Sequence, residues 1–272
     1  MSKDIPVISL FNHKGGVSKT TTTFNLGWAL ADTELRVMIV DGDPQCNLTG
    51  TVLGFAAVDD FEAFYNDRPE ANISAGLTPV LQGSGQQLKP ITLEVTPHPN
   101  LFLLAGNIDL ATNETQIAVA LSTSAAIPAL QNIPGSIGAF LQLTAKENDI
   151  GVIIIDMSPS VGALNQCFLM ASDYFIVPTS PDYYCNQAIT SLSKVVPSWN
   201  QSITQFRDPK LTYPIPMDPP KFCGIISQRY RPRSGAPAKS FQQWIDKIKI
   251  TVDADLVSTH RSKPPVFQTG SL

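Results

Sequence analysis

Short apolar runs alternate along this chain with stretches whose apolar residues recur at helical spacing. The spacing predicts helices at 20–31, 135–147, 185–199 and 238–250. Six apolar runs predict buried strands at 7–11, 36–41, 101–105, 151–156, 173–178 and 222–227. Strands that are apolar throughout and alternate with helices are typical of a parallel sheet covered on both faces. The pattern therefore predicts an α/β fold with a doubly wound, mainly parallel sheet.

The pattern weakens between residues 55 and 100, where Pro, Gly and Asn are scattered. We expect irregular, peripheral structure there, as part of one domain spanning residues 1–272. The length and the 43% hydrophobic content are sufficient for one large domain.

No run of 18 apolar residues occurs, and no charged-then-apolar leader precedes the first strand. We therefore expect no transmembrane segment and a cytoplasmic location.

The turn between the first predicted strand and helix carries the strongest chemical signal. It contains a Gly-rich stretch followed by Lys-Thr, in the order Asn12-His13-Lys14-Gly15-Gly16-Val17-Ser18-Lys19-Thr20-Thr21. In such a phosphate-binding loop, or P-loop, backbone N–H groups and the helix N-terminus face an anion. The Lys19 ammonium can then reach the outer phosphates, and the Thr20 hydroxyl can hold Mg²⁺. The general pattern does not require the second lysine, Lys14.

Acidic residues follow two of the predicted strands. Asp156 ends the most hydrophobic run, and Asp41 and Asp43 flank Gly42 after another. Ligands of parallel sheets bind at the carboxyl ends of the strands, so these carboxylates are expected near the P-loop. A carboxylate there can bind Mg²⁺, and another can orient the water that attacks a phosphate. The pattern leaves open which acid orients the water.

Charge is distributed unevenly along the chain. Segment 221–272 contains nine Lys or Arg and three Asp, which gives it a net charge of +6. Because the whole chain has a net charge of −4, the rest of the chain carries −10. This separation predicts an anionic partner for the basic C-terminal segment, or else a solvated basic surface. The four cysteines and three histidines are widely spaced, which favours reduced thiols and argues against a zinc site.

Three motifs together resemble the ParA/MinD family, whose members are ATPases with a deviant Walker A motif. They are residues 14–21, the run Asp41-Gly42-Asp43-Pro44-Gln45-Cys46-Asn47, and Ile155-Asp156-Met157-Ser158-Pro159-Ser160. The resemblance implies a P-loop NTPase with a Rossmann-like sheet that uses ATP and Mg²⁺.

The resemblance also implies roles for individual residues. Lys14 would cross a dimer interface to the partner's nucleotide, Lys19 would bind phosphates, and Asp43 would align the attacking water, so these three are the candidate catalytic residues. Thr20, Asp41 and Asp156 are the candidate metal site, with Asp156 as the Walker B aspartate. The candidate nucleotide-binding residues are Lys14, Gly15, Gly16, Val17, Ser18, Lys19, Thr20, Thr21, Gln228 and Arg229.

By the same resemblance, the chain would form a homodimer on ATP binding and bind the DNA of the nucleoid non-specifically. It would position or segregate DNA or another cargo, and a cargo-bound adaptor that stimulates ATP hydrolysis would reset it. The candidate DNA-binding residues are Arg231, Arg233, Lys239, Lys247 and Lys249.

Two features depart from the family pattern. Ser18 occupies a position where the family usually has glycine, so a positive φ there would strain the loop and slow hydrolysis. The tail 261–272 does not match the family's final adenine-contacting loop and helix.

Two other functions are alternatives for this fold. A metabolic synthetase on this fold would use ATP to phosphorylate a carboxylate, but it would not need Lys14. An iron–sulfur electron donor needs a cysteine soon after Asp156. Cys167 is eleven residues further on, within a predicted helix at 164–170.

Overall fold

A seven-stranded sheet forms the centre of the molecule. The structure is a computed structural model, which describes residues 4–83, 87–124, 127–233 and 236–257. The strand order is β3-β4-β2-β5-β1-β6-β7, and only β3 is antiparallel to its neighbour. The strands are β1 (Val7–Leu10), β2 (Val37–Gly42), β3 (Glu94–Val95), β4 (Leu101–Leu104), β5 (Val152–Met157), β6 (Tyr174–Thr179) and β7 (Lys221–Ser227). A two-stranded ribbon, β8 (Pro232–Arg233) with β9 (Ala236–Pro237), follows β7.

Helices cover both faces of this sheet. They are α1 (Lys19–Ala31), α2 (Asn47–Leu53), α3 (Val58–Asp67), α4 (Ile73–Leu81), α5 (Leu110–Thr123), α6 (Ile133–Glu147), α7 (Ala163–Met170), α8 (Tyr183–Ser202) and α9 (Lys239–Thr251). Successive residues of β5 pack into different cores: Ile153 and Ile155 join the core beneath α4–α8, and Ile154 joins the one beneath α1 and α2. The predicted α/β fold with a doubly wound, mainly parallel sheet is confirmed. Among the described residues, no helix has both the length and the apolarity needed to cross a bilayer.

The expectation of irregular structure between residues 55 and 100 is wrong. The segment contains α3, α4 and the edge strand β3. Helix α4 resembles a loop in sequence because it includes Gly76 and Pro79. At Gly76, an added Cβ would lie 2.1 Å from the Phe140 ring, so close packing of α6 explains the glycine. Asn72 begins the helix by accepting a hydrogen bond from the Ala75 N–H at 3.0 Å.

The two edges of the sheet are irregular. At one edge, β3 is only two residues long. At the other, the pairing of β6 with β7 shifts register between Phe175 and Ile176. Gly224 of β7 has a φ of 139°, a value that side-chain-bearing residues rarely adopt.

The strand register brings the predicted chemistry to one edge of the sheet. Asp41 of β2 and Leu10 of β1 are both paired with Asp156 of β5, at the carboxyl ends of the three strands. The P-loop follows β1 directly. The Asn12 side chain fixes the start of this loop by donating to the Pro178 carbonyl of β6 at 2.9 Å.

Candidate functional site

The P-loop adopts a curled conformation around its own polar groups. The Asn12 side chain accepts a hydrogen bond from the Lys14 N–H at 2.9 Å. Gly16 has a φ of 71° and Ser18 a φ of 60°, so both lie in the left-handed region. Ser18 directly precedes α1, and its carbonyl accepts hydrogen bonds from the Thr22 N–H at 3.0 Å and the Thr22 hydroxyl at 2.7 Å. The positive φ that would make Ser18 unfavourable is therefore present.

Lys19 turns back into the loop. Its ammonium donates to the carbonyls of Asn12 at 2.9 Å and Lys14 at 3.3 Å, and the residue is only 7% exposed. Burial lowers the pKa of Lys19, and the nearby charges of Asp156 and Asp43 act in the opposite direction. The loop therefore holds a positive charge at the point where phosphates would bind.

Asp156 is a buried carboxylate without a satisfactory partner. Neither oxygen makes a hydrogen bond of normal distance and angle to a described residue. Burial raises its pKa to about 7, although the Thr20 hydroxyl and the charge of Lys19 favour ionisation. A divalent cation beside Thr20 would satisfy these oxygens and hold them ionised, so this pair fits the predicted Mg²⁺ site.

Asp41 has hydrogen-bond partners within the fold. One of its oxygens accepts hydrogen bonds from the Thr49 N–H and hydroxyl, both at 2.7 Å, and the other accepts from the Asp43 N–H at 3.3 Å. Burial raises its pKa to about 6, and the bonds from Thr49 partly offset this effect. These bonds show that Asp41 holds α2 and the Asp43 loop in place, and its role at the metal stays a prediction.

Asp43 is the one acid of the three that lines the cavity above the P-loop. Its Oδ1 accepts from the Gln45 N–H at 3.0 Å, which fixes the carboxylate. The cavity has a volume of about 390 Å³. Its lining comprises the P-loop, the loop after β2, the end of β5 and one arginine: Gly15, Gly16, Val17, Ser18, Lys19, Thr20, Thr21, Asp43, Gln45, Asn47, Thr51, Met157, Pro159 and Arg229. The cavity brings together the residues predicted to bind nucleotide, except Lys14 and Gln228.

Lys14 does not line this cavity. Its ammonium forms an ion pair with Asp182 at 2.6 Å, and its side chain is 25% exposed. Asp182 also accepts a hydrogen bond from the Cys185 N–H at 2.9 Å and so caps the N-terminus of α8. Lys14, Asp182, Arg229 and Phe241 line a second cavity of about 320 Å³, which adjoins the first at Gly15 and Gly16.

Gln228 and Arg229 connect the end of β7 to the P-loop and α1. The Gln228 amide donates to the Thr22 hydroxyl, and the Arg229 guanidinium donates to the Gly16 carbonyl. Gln228 lines neither cavity, so its side chain joins β7 to α1, whereas Arg229 lines both.

The predicted DNA-binding residues lie on the surface where the structure describes them. Arg231 is exposed after β7, and Lys239, Lys247 and Lys249 are exposed on α9. The Lys247 ammonium lies 4.7 Å from the centre of the Trp244 ring. The side chain of Arg233 and the tail 261–272 are outside the described residues.

Sequence reasoning missed three residues that shape the site: Asn12, Thr49 and Asp182. Asp182 had a readable signal, because an aspartate just before an amphipathic segment is a common helix N-cap. The bond from Asn12 to Pro178 joins residues distant in sequence. Thr49 reaches Asp41 only because α2 folds back beside the end of β2, so no local pattern reveals these two contacts.

Comparisons with known proteins agree with this geometry. A family model described as an AAA domain matches residues 5–207. An uncharacterized protein of Methanocaldococcus jannaschii is 30% identical over 87% of this chain and 78% of its own length. The sporulation initiation inhibitor Soj of Bacillus subtilis is 30% identical over 70% of this chain, which spans 64% of Soj. The chromosome partitioning protein ParA of Myxococcus xanthus is 29% identical over 70% of this chain and 57% of its own length.

Two solved structures share the fold. An ATP complex of McdA from Cyanothece superposes with a TM-score of 0.65 at 18% identity, covering 93% of this chain and 81% of McdA. Cobyrinic acid a,c-diamide synthase from Mycobacterium smegmatis, with an ATP analog and magnesium bound, gives 0.60 at 24% identity, covering 96% of this chain and 84% of the synthase.

The raised pKa of Asp156 predicts a pH-dependent stability. Between about pH 4, the ordinary carboxyl value, and pH 7, the folded protein holds more protons than the unfolded chain, so stability falls as pH rises. Without nucleotide and metal, Asp156→Asn should therefore exceed wild type in unfolding free energy at pH 8, by as much as about 4 kcal/mol, and match it near pH 4. Urea unfolding at several pH values measures this, with the exposed Glu70→Gln as the control. An equal difference at both pH values would contradict the assignment.

The left-handed backbone of Ser18 predicts that glycine is better tolerated there. Ser18→Gly should raise the free energy of unfolding by about 1 kcal/mol, because glycine adopts a positive φ without steric cost. Ser240→Gly is the matched control: Ser240 lies in the first turn of α9, where glycine should lower stability. Denaturant melts of both variants provide the measurement. A loss of stability in Ser18→Gly would show that the serine relieves the strain through other contacts.

Proposed function

The chain belongs to the ParA/MinD-like family of P-loop ATPases, and we propose that it is an ATP-switched dimer that positions or segregates DNA or another cargo. In this proposal, ATP binding drives homodimer formation, and the dimer binds nucleoid DNA non-specifically. A cargo-bound adaptor stimulates ATP hydrolysis and returns the protein to the monomer. The names of Soj and the ParA protein, a sporulation inhibitor and a partitioning protein, are consistent with such a role.

The observation that carries the proposal is the orientation of Lys14. A lysine that served only its own nucleotide would face the phosphate cavity, as Lys19 does. Lys14 instead lines the neighbouring cavity and is paired with Asp182 on a partly exposed surface. This arrangement supports a role for Lys14 in contacting the nucleotide of a second subunit.

Within one subunit, we propose that the P-loop residues 15–21 hold the phosphates and that Thr20 and Asp156 hold Mg²⁺. The metal would neutralise phosphate charge and keep Asp156 ionised. Asp43, fixed by the Gln45 N–H, would orient the attacking water from the wall of the same cavity. The strained backbone of Ser18 would keep ATP hydrolysis slow. We also propose that the protein is a single cytoplasmic domain associated with the nucleoid.

The DNA-binding surface is proposed to comprise Arg231 and the lysines of α9, with Arg233 as a further candidate. On α9, Lys239 lies about 80° around the helix axis from Lys247 on one side and from Lys249 on the other, and Asp246 lies between Lys239 and Lys249. Phosphate contacts of this kind carry no base information, which suits non-specific binding.

Two other functions are less well supported. The cobyrinic acid synthase shares the fold, and a synthetase remains the second candidate. A synthetase would not account for the position of Lys14 in the neighbouring cavity. An iron–sulfur donor would need an accessible thiol, but Cys167 is fully buried and burial raises its pKa to about 12.

The trans role of Lys14 predicts nucleotide-dependent dimers. With a non-hydrolysable ATP analog and Mg²⁺, wild type should have twice the monomer mass in solution, and Lys14→Ala should remain monomeric because a buried charge contact is lost at the interface. Light scattering after size-exclusion chromatography measures the mass. Lys146→Ala, which removes a surface lysine paired with Asp4, is the control and should dimerise normally. Equal dimerisation of wild type and Lys14→Ala would rule out the trans role.

The basic surface predicts salt-sensitive DNA binding that strengthens with ATP. Binding of random-sequence duplex should fall steeply with salt, and a dimer should bind more tightly because it presents two patches. Arg231→Glu with Lys247→Glu should weaken binding at least about tenfold and reduce the slope of log K against log salt by roughly 2 per subunit. Lys210→Glu, an exposed charge outside this segment, is the control. Binding that is independent of ATP, or a double variant equal to wild type, would indicate another anchor.

A further inference from the structure

Arg229 occupies an unusual position at the end of β7. It is an exposed residue with a φ of 58°, a left-handed conformation that is uncommon for residues other than glycine. Its guanidinium reaches back across the fold, 213 residues in sequence, to donate to the Gly16 carbonyl. The residue therefore adopts an uncommon backbone conformation with its side chain against the P-loop.

The position of this side chain relative to the two cavities is more informative than the contact itself. Arg229 lines the phosphate cavity together with Lys19, Thr20 and Asp43. It also lines the adjoining cavity that contains Lys14 and Asp182. A nucleotide whose phosphates bind along the P-loop would thus share its cavity with the guanidinium.

An arginine suits this position better than a lysine would. The guanidinium has five N–H donors in a planar fork, and the bond to Gly16 uses one of its nitrogens. The remaining donors can bind phosphate oxygens in a paired geometry. The neighbouring residues do not duplicate this role, since Gln228 contacts Thr22 of α1 and Arg231 lines neither cavity.

We propose that Arg229 binds the phosphate chain of the nucleotide held by its own subunit, and that the Gly16 carbonyl holds it in place beforehand. The inference rests on the proposed ATP site and deepens it. It assigns Arg229 to the phosphates, whereas in the family that the sequence resembles the end of the corresponding strand lies near the adenine. The arginine thereby supplies a cationic contact from β7, separate from the P-loop lysines.

The test compares the binding of two probes, Mg·ATP and adenosine, by Arg229→Ala, Arg229→Lys and Lys221→Ala, which removes an exposed charge at the other end of β7. Affinities are measured by competition with a fluorescent nucleotide, and melting temperatures are recorded with and without ATP. Arg229→Ala should bind ATP about 10- to 100-fold more weakly, the loss expected for a charge-assisted contact, and bind adenosine normally. Arg229→Lys should recover part of the affinity, and Lys221→Ala should match wild type.

Three outcomes would overturn the inference. The first is an Arg229→Ala affinity for ATP within twofold of wild type. The second is an equal loss for ATP and adenosine, which would indicate contact with the base. The third is a lower melting temperature without nucleotide combined with an unchanged ATP-induced shift, which would make Arg229 only a tie between β7 and the loop. Failure of wild type to bind ATP would instead overturn the proposed function on which the inference rests.

Discussion

The burial of unlike charges at one edge of the sheet determines the rest of the site. Lys19 and Asp156 are both nearly excluded from water, and each loses solvation that its charge would otherwise have. Parallel pairing of β1, β2 and β5 places them there, because their carboxyl ends lie at one level. Lys19 is compensated by loop carbonyls, whereas Asp156 has no comparable partner among the described residues. The fold thus leaves buried charge at this edge of the sheet incompletely compensated, and a bound cation together with phosphate would complete the compensation.

Much of the fold could be predicted because the central strands are apolar along their whole length. The six strands that carry the core were located within one or two residues, and their order along the chain implied the parallel sheet. The helices α2, α3, α4 and α5 were not predicted, and the formation of α4 depends on tertiary packing. Gly76 and Pro79 argue against a helix locally, and the contact with Phe140 that explains the glycine lies on α6. Local propensity is a weak guide when such contacts decide the outcome.

The candidate site was predictable to the extent that its chemistry is local in sequence. The P-loop and the acids after β2 and β5 form contiguous motifs, and the sheet brings them together. The sequence could not predict which acid lines the cavity and which is hydrogen-bonded within the fold. Asp41 and Asp43 are two residues apart, yet Thr49 occupies an oxygen of Asp41 while Asp43 lines the cavity. The pairing of Lys14 with Asp182 likewise depends on how β6 and α8 pack beside β1.

The irregular edges of the sheet restrict how copies of this chain can associate. An open strand edge presents unpaired backbone groups that invite a strand from another molecule, with aggregation as the common result. Here β3 is too short to offer a continuous edge, and the shifted register and Gly224 distort β7 at the other. Extension of the sheet from one subunit to the next is therefore disfavoured at both sides. Side chains and loops of the described residues are therefore the more suitable contacts for an ordered assembly, and the carboxyl-end surface around Lys14 is one such surface.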